Sequence, residues 1–370
     1  MSGPLAGVRV VEMPGLGPTP HACMLLADLG ADVIRIRRPG PDLPGPDGIP
    51  DADAGLYRSR RTVDADVKDP DDVARIRELI RRADIVVEGF RPGVMERLGL
   101  GPEICSDATQ LIYARMTGWG QDGDRAAKAG HDINYLAVTG VLEAMGPAGA
   151  PPVPPLSLVG DFGGGSMLLV VGVLAAQHDR SRTGRGQVID AAMVDGAGLL
   201  GALQWSWKAA GRWGSRDQGN LLDGSAPFYA TYRCADDKFV AVGALEEKFW
   251  RNLIDTLGIG DLPDRWDRAA WPVISAALQA RFGSRTRDEW GSVFDGVDAC
   301  VTPVLDFDEA AADPVAVQRG SFVRVDGAIA PAPAPRFSRT ALPPPSRPTA
   351  TTLREVFAGW QAASGAERLR

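Results

Sequence analysis

Two short segments hold the residues best suited to chemistry. Gly130-His131-Asp132-Ile133-Asn134-Tyr135 places an imidazole at a glycine hinge, at a predicted helix start, beside acids and an amide. A histidine takes and returns protons near neutral pH, so His131 suits a general base that becomes a general acid. It equally suits a structural position, with Asp132 as N-cap of the helix. Gly160-Asp161-Phe162-Gly163-Gly164-Gly165 precedes a long apolar run. Asp161 there is either a helix cap or an acid–base group. In the second case, glycine N–H groups and the helix N-terminus would stabilise developing oxyanion charge. A helix N-terminus favours the ionised carboxylate, whereas burial against a ligand opposes it. Glu246 ends a predicted strand. It is an ordinary turn residue unless the fold brings it to His131, where it would orient the imidazole. The other two histidines, His21 and His178, lie at helix ends and read as structural.

Gly15-Leu16-Gly17-Pro18-Thr19-Pro20 sits between a strand and a helix, where a dinucleotide fingerprint belongs. The third glycine is missing, and the prolines remove N–H donors that would cradle a pyrophosphate. The second strand ends in Arg37-Arg38 instead of the acid that holds a ribose diol. A nicotinamide reductase is therefore disfavoured, and a ligand with a phosphorylated ribose fits better. Arg58, Arg60, Arg61, Lys68, Arg91 and Arg97 also lie at or near predicted strand ends. Singly each reads as solvated surface. Together, Arg38, Lys68, Arg91 and Arg97 suit a phosphate-holding group.

The elements that must position these residues alternate. Strands are predicted over 8–12, 32–36, 85–87 and 111–114, with helices over 21–29 and from Pro70 through Arg82. Strands spaced by helix-length segments point to a mostly parallel sheet with helices on both faces. Residues 41–53 read as a surface loop. A helix over about 166–177, a strand over 188–190 and a helix through about 210 follow. Beyond Pro227 the texture changes to a hairpin around Asp236-Asp237 and helices near 248–257, 271–282 and 287–294. The Pro-rich segment 330–348 reads as extended. The expected organisation is a large domain over 1–195, completed by 325–370, a linker over 196–226, and a small α+β domain over 227–324.

A chain of 370 residues with 45% apolar and 24% charged residues is globular and long enough for two units. Its net charge of −7 argues against nucleic acid or an anionic membrane as the main partner. Cys23, Cys105, Cys234 and Cys300 have no metal-ligand spacing, so neither a disulfide framework nor a metal site is expected. The N-terminal residues lack a basic, apolar leader, and the apolar run around 167–176 is short for a bilayer span. These points together lead to an expected cytoplasmic location.

Along essentially its whole length the sequence resembles the family III CoA-transferases, also called the CaiB/BaiF family. The residues concerned are 7–12, 26–36, Gly89-Phe90-Arg91-Pro92-Gly93-Val94, 115–120, 130–135, 159–165 and 190–196. The resemblance implies an α/β fold, with a Rossmann-like large domain and a smaller domain, in an interlocked homodimer. Its active site would lie where the large domain of one subunit meets the small domain of the other. It implies His131 and Asp161 as an acid–base pair, with Glu246 supporting the histidine. It also implies a CoA-binding set of Arg38, Ala65, Asp66, Val67, Lys68, Gly89, Phe90, Arg91, Arg97, Gly130, Asp132, Ile133, Asn134 and Tyr135. The nearest likeness is to members that epimerise 2-methylacyl-CoA thioesters through an enolate. No metal or separate cofactor is implied, CoA being part of the substrate. The alternative within the family is CoA transfer, in which Asp161 attacks the thioester to form an acyl-aspartyl anhydride. A non-catalytic acyl-CoA-binding protein is disfavoured by the presence of both acid–base candidates.

Overall fold

The β-branched runs of the first third become neighbours in one sheet. The computed structural model describes residues 2–40 and 55–367, so the loop expected over 41–53 lies outside the described residues. Strands β1 (Arg9–Glu12), β2 (Asp32–Arg37), β3 (Arg61–Asp64), β4 (Ile85–Glu88), β5 (Ile112–Thr117) and β6 (Val188–Ala192) lie in the order 3-2-1-4-5-6. A short strand, Thr349–Ala350, adds beside β3, and every pairing is parallel. The order reverses between β1 and β4. Their carboxyl ends therefore flank the crevice where open parallel sheets hold ligands.

Central strands buried on both faces need continuous apolar runs, and Val10, Val11, Val86 and Val87 are wholly buried. β3 has no such run, since Arg61 and Asp64 flank Thr62 and Val63. Pairing makes it a strand: Val63 lies opposite Ile36, and Arg37 Nε is 2.7 Å from Asp64.

Helix α1 (Pro18–Asp28) starts three residues before the predicted position because Pro18 fills the first turn, where no N–H is needed. Helix α2 (Pro70–Arg82) has the predicted limits, and the Asp69 carboxylate accepts the N–H groups of Asp71 and Asp72 at 2.8 and 3.1 Å. Helices α3 (Val94–Arg97), α4 (Asp132–Ala137), α5 (Leu168–Thr183) and α6 (Met193–Leu200) follow. Ahead of α5 the chain already winds as a π-helix over Leu158–Met167, the Phe162 N–H reaching the Ser157 carbonyl at 3.2 Å. Together these form one helical stretch of 26 residues, long and apolar enough by length and composition to cross a bilayer. The apolar run alone is shorter because it leaves out the glycine-rich turn. Leu169, Val170, Val173 and Ala176 pack in the same core as Val10, Val87 and Ile112, whereas Val171 and Leu174 on the other side of the helix are exposed.

The opposite face of the sheet buries Ile34, Ile36, Ile76, Leu79 and Tyr113 with Val356 and Trp360 of the C-terminal helix Leu353–Glu367. Trp360 Nε1 also donates to Asp32 at 2.7 Å. Within the Pro-rich tail, Ala328–Pro331 pairs with Phe322–Val325 in a hairpin, and the following residues run without regular structure to Thr349.

The chain divides into two units, one of Met1–Thr139, Pro155–Leu200 and Val315–Arg370, the other of Gly140–Pro154 and Gly201–Pro314. The second contains α7 (Ala202–Ala209), the hairpin β7 (Tyr229–Arg233) and β8 (Phe239–Gly243), and β9 (Val301–Pro303) beside β8. Helices α8 (Glu247–Leu257), α9 (Trp271–Phe282) and α10 (Arg287–Phe294) fall within a residue of the predicted limits. The hairpin turns on Asp237, at φ 61°. Its core is aromatic: Phe282 packs against Tyr232, Trp290 and Phe294, and Trp290 Nε1 donates to the Phe282 carbonyl.

The segment read as a linker differs from that expectation. Residues 201–226 belong to the second unit, where buried Asn220 accepts from the Gly214 N–H and donates to Asp223. Residues 140–154 join the same unit, held by Arg216, which donates to the carbonyls of Met145 and Ala150 at 3.3 and 2.7 Å.

Candidate active site

Asp161 lies in the first turn of the π-helical segment, half-buried. It is therefore not the N-cap of α5, because helical winding begins before it. The three glycines that follow serve packing more than ligand approach. A Cβ on Gly164 would lie 2.5 Å from the Ala197 nitrogen of α6, and one on Gly165 would lie 3.3 Å from Pro18. The segment is thus pressed between α1 and α6. At its upper end Gly17 approaches Asp161, with 3.5 Å between a Cβ built there and Oδ2. The broken fingerprint consequently opens α1 against a carboxyl group.

Burial pushes the Asp161 carboxyl up to about 6, the charge of Asp132 adds to this, and His131 pulls the other way. A carboxyl at that level is present in both forms near neutral pH, as an acid–base group requires. Asp132 also takes a hydrogen bond from the Asp161 N–H at 2.8 Å. That N–H is therefore unavailable to an oxyanion, as is the Phe162 N–H bound to Ser157.

His131 is exposed and is itself the N-cap of α4, in extended backbone geometry. Its N–H donates to Asn134 Oδ1 at 3.0 Å. Asp132, expected as the cap, is the first helical residue, and its buried carboxylate turns to Asp161. Ile133 and Asn134 are exposed, whereas Tyr135 is buried and donates to the Gly130 carbonyl. Its ring leaves no room for side chains at Gly118 and Gly130, where a Cβ would come within 2.3 and 2.7 Å. Tyr135 thereby braces the hinge that presents His131. Burial and the charges of Asp161 and Asp132 raise its own pKa, keeping the hydroxyl a donor.

The basic candidates separate into two groups. Arg58 is buried against Asp28, Arg60 against Glu12 and the Pro20 carbonyl, and Arg61 pairs with Asp32. These hold the fold together. Arg38 after β2, Lys68 after β3, Arg91 after β4 and Arg97 at the end of α3 are exposed, and none pairs with a described residue. The turns carrying them are ordered: Asp72 accepts the Asp66 N–H, Asp66 accepts the Lys68 N–H, and Ala65 and Val67 lie buried and half-buried. Gly89 must lack a side chain, since a Cβ would lie 2.4 Å from Thr19 Oγ1. Phe90 N–H donates to buried Glu88 at 2.8 Å, and Arg115 bridges Glu88 and Glu96, each at 2.8 Å.

Glu246 belongs to the second unit, as N-cap of α8. Two features of the site escape a linear reading. One is the Asp132–Asp161 contact between distant segments. The other is the seating of His21 on Phe162, ring centroids 4.5 Å apart. The only local signal for the second was helical spacing, with Gly17 and His21 four apart and Phe162 and Ser166 four apart.

One unit of the chain thus carries exposed basic side chains after β2, β3 and β4 and on α3, together with a histidine whose charge acts on an aspartate of raised pKa. The chain belongs to CoA-transferase family III, whose model matches residues 5–352. It is 44% identical to alpha-methylacyl-CoA racemase of Mus musculus over 348 residues, covering 93% of this chain and 89% of that one. The Homo sapiens racemase is also 44% identical, with 91% and 87% covered. Among solved structures, a CaiB/BaiF family protein from Brucella suis superimposes with a TM-score of 0.82 at 27% identity, covering 97% of this chain and 100% of that one.

Proposed function

We propose that the protein interconverts (2R)- and (2S)-2-methylacyl-CoA thioesters by moving the α-proton between His131 and Asp161. The observation that carries this reading is the half-buried Asp161 carboxyl, raised to about 6 within electrostatic reach of His131, in a chain 44% identical to two racemases. One of the two groups removes the α-proton and the electrons delocalise onto the thioester oxygen. The other returns a proton to the opposite face, and the pair is then poised for the reverse reaction. Asp132 and Ile133, at the start of α4, have main-chain N–H groups without a partner among the described residues. They supply donors for the enolate oxygen in place of those at Asp161. The thioester already acidifies its α-carbon, so the reading calls on no metal or separate cofactor.

Arg38, Lys68, Arg91 and Arg97, with residues 65–67, 89–90 and 130–135, form the proposed CoA-binding set. Glu246 is proposed to support the charged form of His131 from the small domain of a second copy. A homodimer is supported by the apolar side chains that the first unit leaves exposed: Leu158, Met167, Val171 and Leu174 on one helical stretch, and Leu199 and Leu200 on α6. A cytoplasmic location is part of the same reading. CoA transfer through an acyl-aspartyl anhydride would need Asp161 alone, leaving His131 without a task, and it fits the 44% relatives less well.

The test uses one pure enantiomer of a 2-methylacyl-CoA in deuterated water without an acceptor acid. Deuterium entering at the α-carbon together with loss of stereochemistry is the expected result. Absence of exchange, combined with thioester transfer once a carboxylate acceptor is added, would overturn it in favour of the nucleophilic role.

A further inference from the structure

One polar cluster beside Asp161 has no part in the proton exchange. His21 Nδ1 lies 2.5 Å from Ser166 Oγ, and that buried hydroxyl is 2.9 Å from the Phe162 carbonyl. A hydroxyl has one proton. When it donates to the carbonyl, its oxygen is left to accept from His21, which requires the Nδ1–H form of the ring. The imidazole also lies against Phe162, the residue next to Asp161, with 31° between the rings. One turn earlier in α1, Gly17 approaches Asp161 Oδ2 and takes the His21 N–H at 3.2 Å. The start of α1 therefore touches the π-helical segment at two places, through the Gly17 cap and through His21.

π-winding is rare and unfavourable enough to need outside support. Dropping one residue from it turns the preceding residues by about 100° around the helix axis, which would re-aim Asp161. We propose that His21 is a positioning residue: through Ser166 and Phe162 it holds Leu158–Met167 in its π-winding and so points the Asp161 carboxyl at the substrate. This rests on the reading of Asp161 as one of the two proton-transfer groups. Burial and the nearby guanidinium groups of Arg58 and Arg60 lower the His21 pKa, so the ring is neutral and acts as a fixed donor.

Two substitutions separate holding from packing. His21→Phe keeps a ring against Phe162 and removes the donor, whereas His21→Asn returns an N–H near the place of Nδ1. The expected result for His21→Phe is a kcat for epimerisation lower by about tenfold or more at an unchanged KM. Its acid limb should also move to lower pH, because Asp161 leaves the burial and the Asp132 charge that raise its pKa, which outweigh the opposing pull of His131. His21→Asn should recover most of both. Carbon-13 NMR titration of the Asp161 carboxyl reads the same displacement without turnover, and its midpoint should fall in His21→Phe. An unmoved midpoint, or equal losses in the Phe and Asn variants together with a lower Tm, overturns the proposal. A wild-type protein that shows no α-proton exchange while the NMR midpoint still falls in His21→Phe would overturn the functional reading and leave the positioning role standing.

Discussion

Asp132 and Asp161, two acids 29 residues apart, meet through the main chain: Oδ1 of Asp132 accepts the Asp161 N–H at 2.8 Å. A buried carboxylate that holds a neighbour's backbone while its charge acts on that neighbour's side chain sets both position and pKa. Asp132→Asn keeps an acceptor for the N–H and removes the charge. With that charge gone, Asp161 ionises more easily, and the acid limb of kcat/KM should fall by roughly half a unit. A pH–rate profile on matched proteins decides it. An unmoved limb would leave burial as the sole cause.

Asp161 also links activity to stability. Its pKa is raised from 3.8 to about 6, so the folded state binds this proton more tightly than the unfolded one. The stabilisation is complete below the unfolded pKa and is lost as pH rises through the folded value. A rise of about two units corresponds to about 3 kcal/mol, discounted to about 1 kcal/mol for a half-exposed group. Asp161→Asn should therefore unfold at a higher denaturant midpoint at pH 8 and show no such gain at pH 4, while losing epimerisation. A gain of equal size at both pH values would point to a cause other than ionisation.

Gly196 faces the tightest backbone contact beside the site. A Cβ there would lie 1.8 Å from the Gly164 carbonyl oxygen, with no flexible side chain to give way. Gly196→Ala should separate α6 from the π-helical segment, cost about 3 kcal/mol or more and lower Tm by several degrees. Gly291→Ala meets nothing within 4 Å and serves as the control. Similar melting curves for the two variants would contradict the packing described.

The exposed basic residues should act on binding rather than on chemistry. Arg38→Ala, Lys68→Ala, Arg91→Ala and Arg97→Ala should each raise KM for the CoA thioester with little change in kcat. The wild-type KM should itself rise with salt, more steeply than in the variants, because screening weakens exposed charges. Flat KM values across the four would remove them from the binding set.

The elements legible in the sequence were those with a local signature. α2 has its Asp69 cap and Pro70, and β1 and β4 have their valines. β3 was not legible, because its strand character comes from Ile36 and Arg37 on the neighbouring strand and not from its own four residues. The glycines around Asp161 were visible, but their reason was not. Spacing cannot tell a glycine that admits a ligand from one that admits another helix, and Gly164 is of the second kind. Asp132 likewise reads as a cap in the sequence, since its true partner, the Asp161 N–H, lies on a distant segment. Arg58 and Arg60 read singly as solvated surface for the same reason, their buried acids being Asp28 and Glu12.

The strand Thr349–Ala350 also constrains how the chain comes to be folded. It covers the open edge of β3, yet it is made only after the entire second unit has been translated. At typical elongation rates of about 5–20 residues per second, that edge stays uncovered on the ribosome for some tens of seconds. An unpaired strand edge invites pairing with other chains. Nascent molecules therefore pass through a sticky stage that the finished protein no longer displays, and truncation before residue 349 would make that stage permanent.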